Sequence, residues 1–478
     1  MKKIFKSIFV FALCFLTCLS FAGCNNQKWS KTTNDTTKVT SNGGTTVYHD
    51  GWLYFINGTK EVNQLNNTGA TIQAGIYRAE CDENGNVLYK DTASSQATEN
   101  EEEKKEFKNI EPVVKSLTGF KDGSLYIFGD YLYYVTPSKG INDEGDMLTG
   151  KLAFNRYDLG SKRSQLLYTT QASDDTVSYT YYKQSADLYL VIYEKNSKTI
   201  TSIKMGDSNE TAFVKEDVVS AVFSNTNGVV DGVGNVTDCY IYYTMNAEEN
   251  KDGNRVFRNL PNGSDEKLIS ENESVSLLTI QKGYLVYQKD SLTYAEKIQN
   301  TTTQLSFEIN NVVYYGDYEN VIYVEESNKL GAIIYDNGVI RKIVWDATKT
   351  LEQNVESMQP IFDEYDSDDK VVFVGLDGDY LIYQLSNYIY KVKVLNIAVG
   401  DEIREIKLTT TKMDAISDSS LIVPEIVNGY VYGMFTNSDT KVTYMYRIRI
   451  QTPKEAGEVD GEGNPKDVGE AEFIGIKE

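Results

Sequence analysis

The chain has 478 residues, enough for one large β architecture or for two to three ordinary domains. Its formal net charge of −22 argues against nucleic acid or an anionic bilayer surface as a partner, because both repel an acidic body. It holds one histidine, His49, so zinc sites built on two or three imidazoles are excluded, and no Cys-x-x-Cys pair replaces them. A Ser-His-Asp or Cys-His mechanism would have to run through His49 alone, and its place before Asp50-Gly51 at a strand entrance reads as a turn residue. Solubility is the plain account of the acidity; a cationic partner or metal cations is the sharper one.

Lys2, Lys3 and Lys6 form a positive start, and residues 8–19 are an apolar run too short for a comfortable transmembrane helix. Ser20-Phe21-Ala22-Gly23-Cys24 follows. Small residues before a cysteine resemble the lipobox of bacterial lipoprotein signal peptides, with Phe21 where that family usually carries leucine. The resemblance implies that residues 1–23 are a signal peptide cleaved before Cys24. It also implies that Cys24 carries a diacylglycerol anchor of palmitate type, so that the membrane is a partner through lipid. The other reading is an ordinary secretory signal in which Cys14, Cys18 and Cys24 are incidental apolar residues.

Residues 24–45 are rich in Asn, Thr, Ser, Lys and Gly and cannot bury enough apolar area to fold, so they predict a flexible tether. If Cys24 is lipidated, Cys81 and Cys239 are either a disulfide or two buried thiols. Export permits the first, and nothing in their strand-like surroundings brings them together, which favours the second.

From residue 46 one phrase recurs: a polar turn, then alternating aromatic and aliphatic residues. Such alternation is the pattern of a β-strand fed by a tight turn. It opens as His49-Asp50-Gly51-Trp52-Leu53-Tyr54-Phe55 and is clearest as Gly129-Asp130-Tyr131-Leu132-Tyr133-Tyr134. Looser or equal versions are Ala186-Asp187-Leu188-Tyr189, Thr237-Asp238-Cys239-Tyr240-Ile241, Lys282-Gly283-Tyr284-Leu285, Glu319-Asn320-Val321-Ile322, Gly378-Asp379-Tyr380-Leu381 and Asn428-Gly429-Tyr430-Val431. They lie roughly forty to eighty residues apart, around the length of propeller blades. A second signal tends to follow each: strand, polar turn, strand. Gly75-Ile76-Tyr77-Arg78 leads to Asn84-Gly85-Asn86, Phe154-Asn155-Arg156-Tyr157 to Leu159-Gly160-Ser161, Val256-Phe257-Arg258 to Pro261-Asn262-Gly263, and Ala332-Ile333-Ile334-Tyr335 to Asp336-Asn337-Gly338. Asn-Gly and Asp-Gly tolerate positive φ and so form hairpins.

Each unit therefore reads as a meander of about four strands. One such sheet cannot bury both faces alone, and radial stacking solves that. The predicted fold is all-β: a β-propeller of seven to eight four-stranded blades over residues 46–451. The 35 tyrosines fit it, since a ring can pack between blades while its hydroxyl reaches a rim. A sugar-stacking platform is the alternative use of those rings. Residues 92–108 read as a solvated insertion, Leu351, Val355 and Met358 as one helical face before Pro360, and residues 452–478 as an acidic disordered tail.

The Tyr-Leu-Tyr-Tyr, Ile-Tyr-Arg and Asn-Gly strings resemble the repeats of β-propeller lipoproteins of uncharacterised function from Gram-positive bacteria. That resemblance reports fold, and the only site residue it carries is Cys24. No phosphate loop, dinucleotide fingerprint or zincin motif occurs, so no cofactor and no catalytic residue is assigned. The acidic clusters Asp143-Glu144-Gly145-Asp146, residues 363–369 and Asp377-Gly378-Asp379 do not fit a calcium loop, so no metal site is expected and the ligand stays unknown. The function expected is a membrane-anchored, extracytoplasmic binding module for protein or glycan in the cell envelope. The alternative is a carbohydrate-active enzyme, glycoside hydrolase or lyase, using paired acids about 5 to 10 Å apart.

Overall fold

The computed structural model describes residues 45–474 except 61–74, 89–107, 115–124, 138–150, 172–176, 224–228, 231–235, 299–304, 306–311, 316–319, 366–369, 414–424, 437–441, 460–462 and single positions or pairs between them. Within the described residues the alternating phrases become strands, and consecutive strands pair antiparallel into eight sheets of four. Blade 1 is Thr46–His49, Trp52–Asn57, Gly75–Glu80 and Ile110–Val114. Blade 2 is Tyr126–Phe128, Tyr131–Pro137, Leu152–Asp158 and Arg163–Thr169, and blade 3 is Val177–Gln184, Asp187–Glu194, Thr199–Lys204 and Glu210–Lys215. Blade 4 is Val218–Val222, Ile241–Asn246, Asn254–Asn259 and Lys267–Glu273; a small hairpin, Val229–Val230 with Val236–Asp238, is inserted after its first strand. Blade 5 is Ser276–Gln281, Tyr284–Lys289, Leu292–Lys297 and Val312–Tyr315. Blade 6 is Val321–Glu326, Lys329–Asp336, Val339–Val344 and Gln359–Phe362, and blade 7 is Val371–Asp377, Tyr380–Leu385, Tyr388–Lys393 and Ile406–Lys407. Blade 8 holds Glu425–Val427, Tyr430–Thr436 and Val442–Arg449, with an outer edge assembled from two distant segments.

Turn chemistry sets the hairpins. Asp50 and Gly51 have φ of 50° and 75°, Asn337 and Gly338 46° and 83°, and Asn428 and Gly429 48° and 75°. Two successive positive φ angles define the type I′ turn, whose twist matches that of the flanking strands. The phrase enters the second strand of its blade in every case but one. The sixth, Glu319-Asn320-Val321, enters a first strand, so unit 6 is offset by one strand from its neighbours. A meander tolerates this offset because the inner strands of a blade are buried alike and show the same alternation, as Val321–Glu326 and Tyr380–Leu385 do.

Both faces of each blade are consumed by neighbours. In blade 2, Tyr131, Tyr133 and Val135 pack toward Tyr181 and Leu190 of blade 3, while Leu132 and Tyr134 pack toward Tyr54 and Ile56 of blade 1. The same division recurs around the molecule. Tyr189 and Val191 meet Val218 and Tyr243; Tyr240 and Tyr242 meet Leu285 and Tyr287; Tyr284 and Val286 meet Tyr323 and Ile334. Ile322 and Val324 meet Leu381 and Tyr383, Ile382 and Ile389 meet Val431 and Ile448, and Tyr432 and Met445 return to Leu53 and Phe55 of blade 1. The circle is complete. The fold is an eight-bladed β-propeller.

Closure is made at two radii. Near the axis the first strands of blades 8 and 1 lie side by side, and the buried Glu425 accepts hydrogen bonds from Thr45 Oγ1 at 3.1 Å and from Thr46 Oγ1. At the periphery Thr59–Lys60, an excursion from blade 1, pairs with Val442 and Thr443. The rest of that outer edge corrects an expectation. Residues 452–478 were expected to be disordered, yet Glu472–Ile474 is a strand paired to Met445–Arg447. Composition misleads there because the strand gains backbone pairing with blade 8 and an ion pair between Glu472 and Arg447, which a count of apolar residues does not register. The helical face expected around residue 351 is the helix Leu351–Glu356, between the third and fourth strands of blade 6. A capping box starts it: Thr350 Oγ1 accepts from Gln353 N–H, and the Gln353 side chain accepts from Thr350 N–H. Pro360 sits on the outer strand after it, where a missing donor is tolerated. The insertion at residues 92–107 lies outside the described residues.

Candidate functional site

The third strands carry a feature that recurs around the ring. In five blades a cation on the third strand lies over the aromatic that opens the second strand: Arg78 over Trp52 at 4.2 Å, Arg156 over Tyr131 at 4.8 Å, Arg258 over Tyr240 at 4.2 Å, Lys391 over Tyr380 at 5.0 Å and Arg447 over Tyr430 at 4.3 Å. Register explains the contact. Each cation is directly opposite the residue two places beyond that aromatic, as Arg156 is opposite Tyr133 and Arg447 opposite Tyr432, so it reaches the aromatic on the diagonal.

Two of these side chains, and Lys342 on the third strand of blade 6, also bridge to the next blade at its third-strand exit. Arg156 Nη2 donates to Gly206 O at 2.9 Å, Lys342 Nζ to Val394 O at 3.4 Å and Lys391 Nζ to Ile450 O at 3.0 Å. Ser202 Oγ makes the same link to Pro261 O at 2.5 Å. Arg78 is half-buried and Arg156 buried, while Arg258, Arg447 and Lys391 have 0%, 2% and 4% side-chain exposure, so these must be paired. A cation therefore covers one face of each of these rings.

Tyrosine hydroxyls and carboxylates form the second recurring pair. Tyr168 donates to Glu194 at 2.8 Å, Tyr243 to Glu266 at 3.0 Å, Tyr287 to Glu296 at 3.2 Å and Tyr284 to Glu325 at 3.4 Å. The densest polar group stands between blades 6 and 7, and it is the candidate site. Tyr365, on the connection between the two blades, and Tyr383, on the second strand of blade 7, both donate to Glu405 Oε2 at 2.6 Å. Their two hydroxyl oxygens also lie within hydrogen-bond distance of each other, at 2.5 Å. Tyr383 is fully buried, while Tyr365 and Glu405 are half-buried. Burial drives both phenols far above their ordinary value of 10.0, and the Glu405 carboxylate adds to it. Both therefore stay protonated at neutral pH and act as donors.

The same blade seam carries Glu326, which takes Lys342 Nζ in an ion pair and accepts from Asn396 N at 3.0 Å. Burial alone would raise the Glu326 carboxyl, but Lys342 and the Asn396 N–H outweigh it and hold it below its ordinary value. The chemistry available at this seam is anion holding by neutral phenols. One carboxylate between two phenols is not the pair of separated carboxylates that sugar-bond hydrolysis uses.

The residues singled out from sequence fall as follows. Cys24, Cys239 and the acidic cluster at residues 143–146 lie outside the described residues, as does most of residues 363–369. His49 ends the first strand of blade 1, opposite Trp52 across the Asp50-Gly51 turn. Cys81 is a buried free thiol, which burial pushes up to about 11, so it is protonated at neutral pH. Asp379 caps its turn by accepting from Asn396 Nδ2 at 2.8 Å. Among the described residues no group of three or more His, Cys, Asp and Glu side chains stands together, and no helix is long and apolar enough to cross a membrane. Sequence reasoning missed the cation–aromatic pairs. The signal was present in the arginine that closes the Ile-Tyr-Arg, Phe-Asn-Arg and Val-Phe-Arg strings, each at a third-strand position.

No protein-family model and no curated protein matches the chain. Solved structures match it as folds. The β-propeller domain of the Trilobed protease from Pyrococcus furiosus aligns at 9% identity and a TM-score of 0.35, over 67% of this chain and 90% of that one. An oligogalacturonate lyase in complex with manganese aligns at 8% identity and a TM-score of 0.34, over 88% and 98%. A post-proline cleaving enzyme from Rickettsia typhi aligns at 10% identity and a TM-score of 0.40, over 86% and 57%.

Proposed function

We propose that this chain is an extracytoplasmic lipoprotein, hung from the cell membrane by Cys24, whose eight-bladed propeller is a binding module for protein or glycan in the cell envelope. The observation that carries the reading is the order of segments. Lys2, Lys3, Lys6 and the apolar run lead to Ser20-Phe21-Ala22-Gly23-Cys24, and a polar stretch then reaches Thr46, the first residue of the ring's innermost strand. A lipid at Cys24 would suspend the body by its axis and leave the rim and both loop faces open to neighbours.

The seams support a binding role over a catalytic one. Their carboxylates and cations are committed to tyrosines, to one another and to backbone carbonyls, which makes a rigid scaffold for variable loops. Cell fractionation with labelled palmitate tests the anchor. The native protein is expected in the membrane fraction with label, and Cys24→Ser is expected to lose both; label-free native protein in the soluble fraction would overturn the anchor. Crosslinking in intact cells followed by pull-down, with a glycan array of the purified propeller, tests the module. Recovery of no envelope protein together with no glycan bound would overturn that half.

A further inference from the structure

After blade 8's third strand the chain runs back over blade 7 before it returns to blade 8. Thr452 N donates to Glu455 Oε2 at 2.8 Å and Glu455 N donates to Thr452 Oγ1 at 3.2 Å, a reciprocal turn. That turn aims both Glu455 oxygens at Lys391 Nζ of blade 7, at 2.8 and 2.7 Å. Farther on, Gly469 O accepts from Thr410 N at 3.1 Å and Ala471 N donates to Thr411 Oγ1 at 3.2 Å, so the segment lies along the outer edge of blade 7. Glu472–Ile474 then pairs with Met445–Arg447, and Glu472 Oε2 accepts from Arg447 Nε and Nη2, both at 2.8 Å. The two halves of this path hold one buried cation each, on two different blades.

We propose that this C-terminal segment is a catch that closes the seam between blades 7 and 8, docking and releasing as one unit while the other seams stay shut. Three features point to it. The two anchors are ionic, Glu455 on Lys391 and Glu472 on Arg447, and a buried cation that loses its carboxylate is strongly destabilised, so each anchor favours the other. Between the anchors, Gly463, Asn464, Pro465, Lys466 and Asp467 are exposed, so the stretch that joins the two anchors buries little of its own surface. The edge it covers is shared, because Thr59 and Lys60 pair only with Thr443 and Val442; release leaves Met445–Arg447 as an open strand edge of blade 8.

Amide hydrogen exchange on the full-length chain tests this. In the native protein the Thr410 amide, bonded to Gly469 O, and those amides of residues 445–447 that face Glu472–Ile474 are expected to exchange at one common rate, faster than the second strands of blades 2 to 5. Glu455→Gln and Glu472→Gln, each alone, are expected to raise exchange at both stretches by roughly tenfold, the ratio for one hydrogen bond to a charged group. Glu248→Gln, which removes an exposed pair with Lys251, is expected to change neither. Different native rates at the two stretches, or a variant whose effect stays in its own stretch or is absent, would overturn the catch. The native comparison stands alone if a variant fails to fold.

Discussion

A methyl group at Gly331 would meet the backbone carbonyl of Ile343 on the neighbouring strand of blade 6, with Val344 Cα 3.4 Å away. Backbone atoms in the middle of a paired sheet cannot step aside as a side-chain tip would. Gly331→Ala should therefore cost about 1–3 kcal/mol, as overpacking does, and a shift of the urea midpoint at unchanged slope would show it. An unchanged midpoint would mean that blade 6 can spread at no cost. The glycine could not be explained from sequence, where a lone Gly in a strand suggests a bulge; the register at Gly331 is regular, opposite Val344. Tyr383 was half legible. Its alternation with Ile382 placed the ring between blades on the same face as Leu381, and that is where it lies. Its hydroxyl partner Glu405 comes from the loop after the third strand, and neither pattern nor spacing relates the two. Tyr383→Phe keeps the ring and removes one buried donor, for an expected loss of about 1 kcal/mol in the same denaturation measurement.

The elements were the most legible level, since their signals are local: alternation for strands, Asp-Gly and Asn-Gly for turns, and the spacing of Leu351 and Val355 for the helix. The strand role of each phrase was less so. Unit 6 is offset by one strand, and the sequence hid it because the first and second strands of a blade are buried alike and carry the same pattern. The C-terminal strand was illegible for a different reason: its backbone partner Met445–Arg447 and its ion pair with Arg447 lie in an earlier strand, and no local pattern announces either. That difference has a pH consequence. Burial by itself would raise the Glu455 carboxyl, but Lys391 and Thr452 outweigh it and hold it below its ordinary 4.5. A lowered folded value means that the stabilising contribution is present above 4.5 and is lost as pH falls through the folded value. Thermal melting should show it. Glu455→Gln is expected to melt lower than the native protein at neutral pH and to lose less on acidification below 4.5. Parallel pH curves for the two proteins would mean that Glu455 carries no such linkage.

At the scale of the whole ring, the order of blades followed from the repeats, but closure did not, because Glu425 and Thr46 or Thr443 and Thr59 are separated by most of the chain. What the ring shares is tyrosine. Tyr133 and Tyr181 stand in one seam, Tyr243 in the next, then Tyr287, Tyr383 and Tyr432, all buried, and burial raises each phenol well above 10.0. Tyr168 and Tyr284, nearer the surface, are pushed up to about 12. A raised folded value means that the stability these groups supply is complete below 10.0, where both states are protonated, and is lost as pH rises above it, because the unfolded chain ionises first. The seam tyrosines therefore ionise by way of unfolding. Alkaline titration followed by tyrosinate absorbance and by circular dichroism should give a cooperative step in which ionisation of the buried set and loss of sheet signal coincide, starting above 10.0. Smooth ionisation of all the tyrosines with the sheet signal intact would mean that the seams admit water, and that packed tyrosine is not what holds the blades in register.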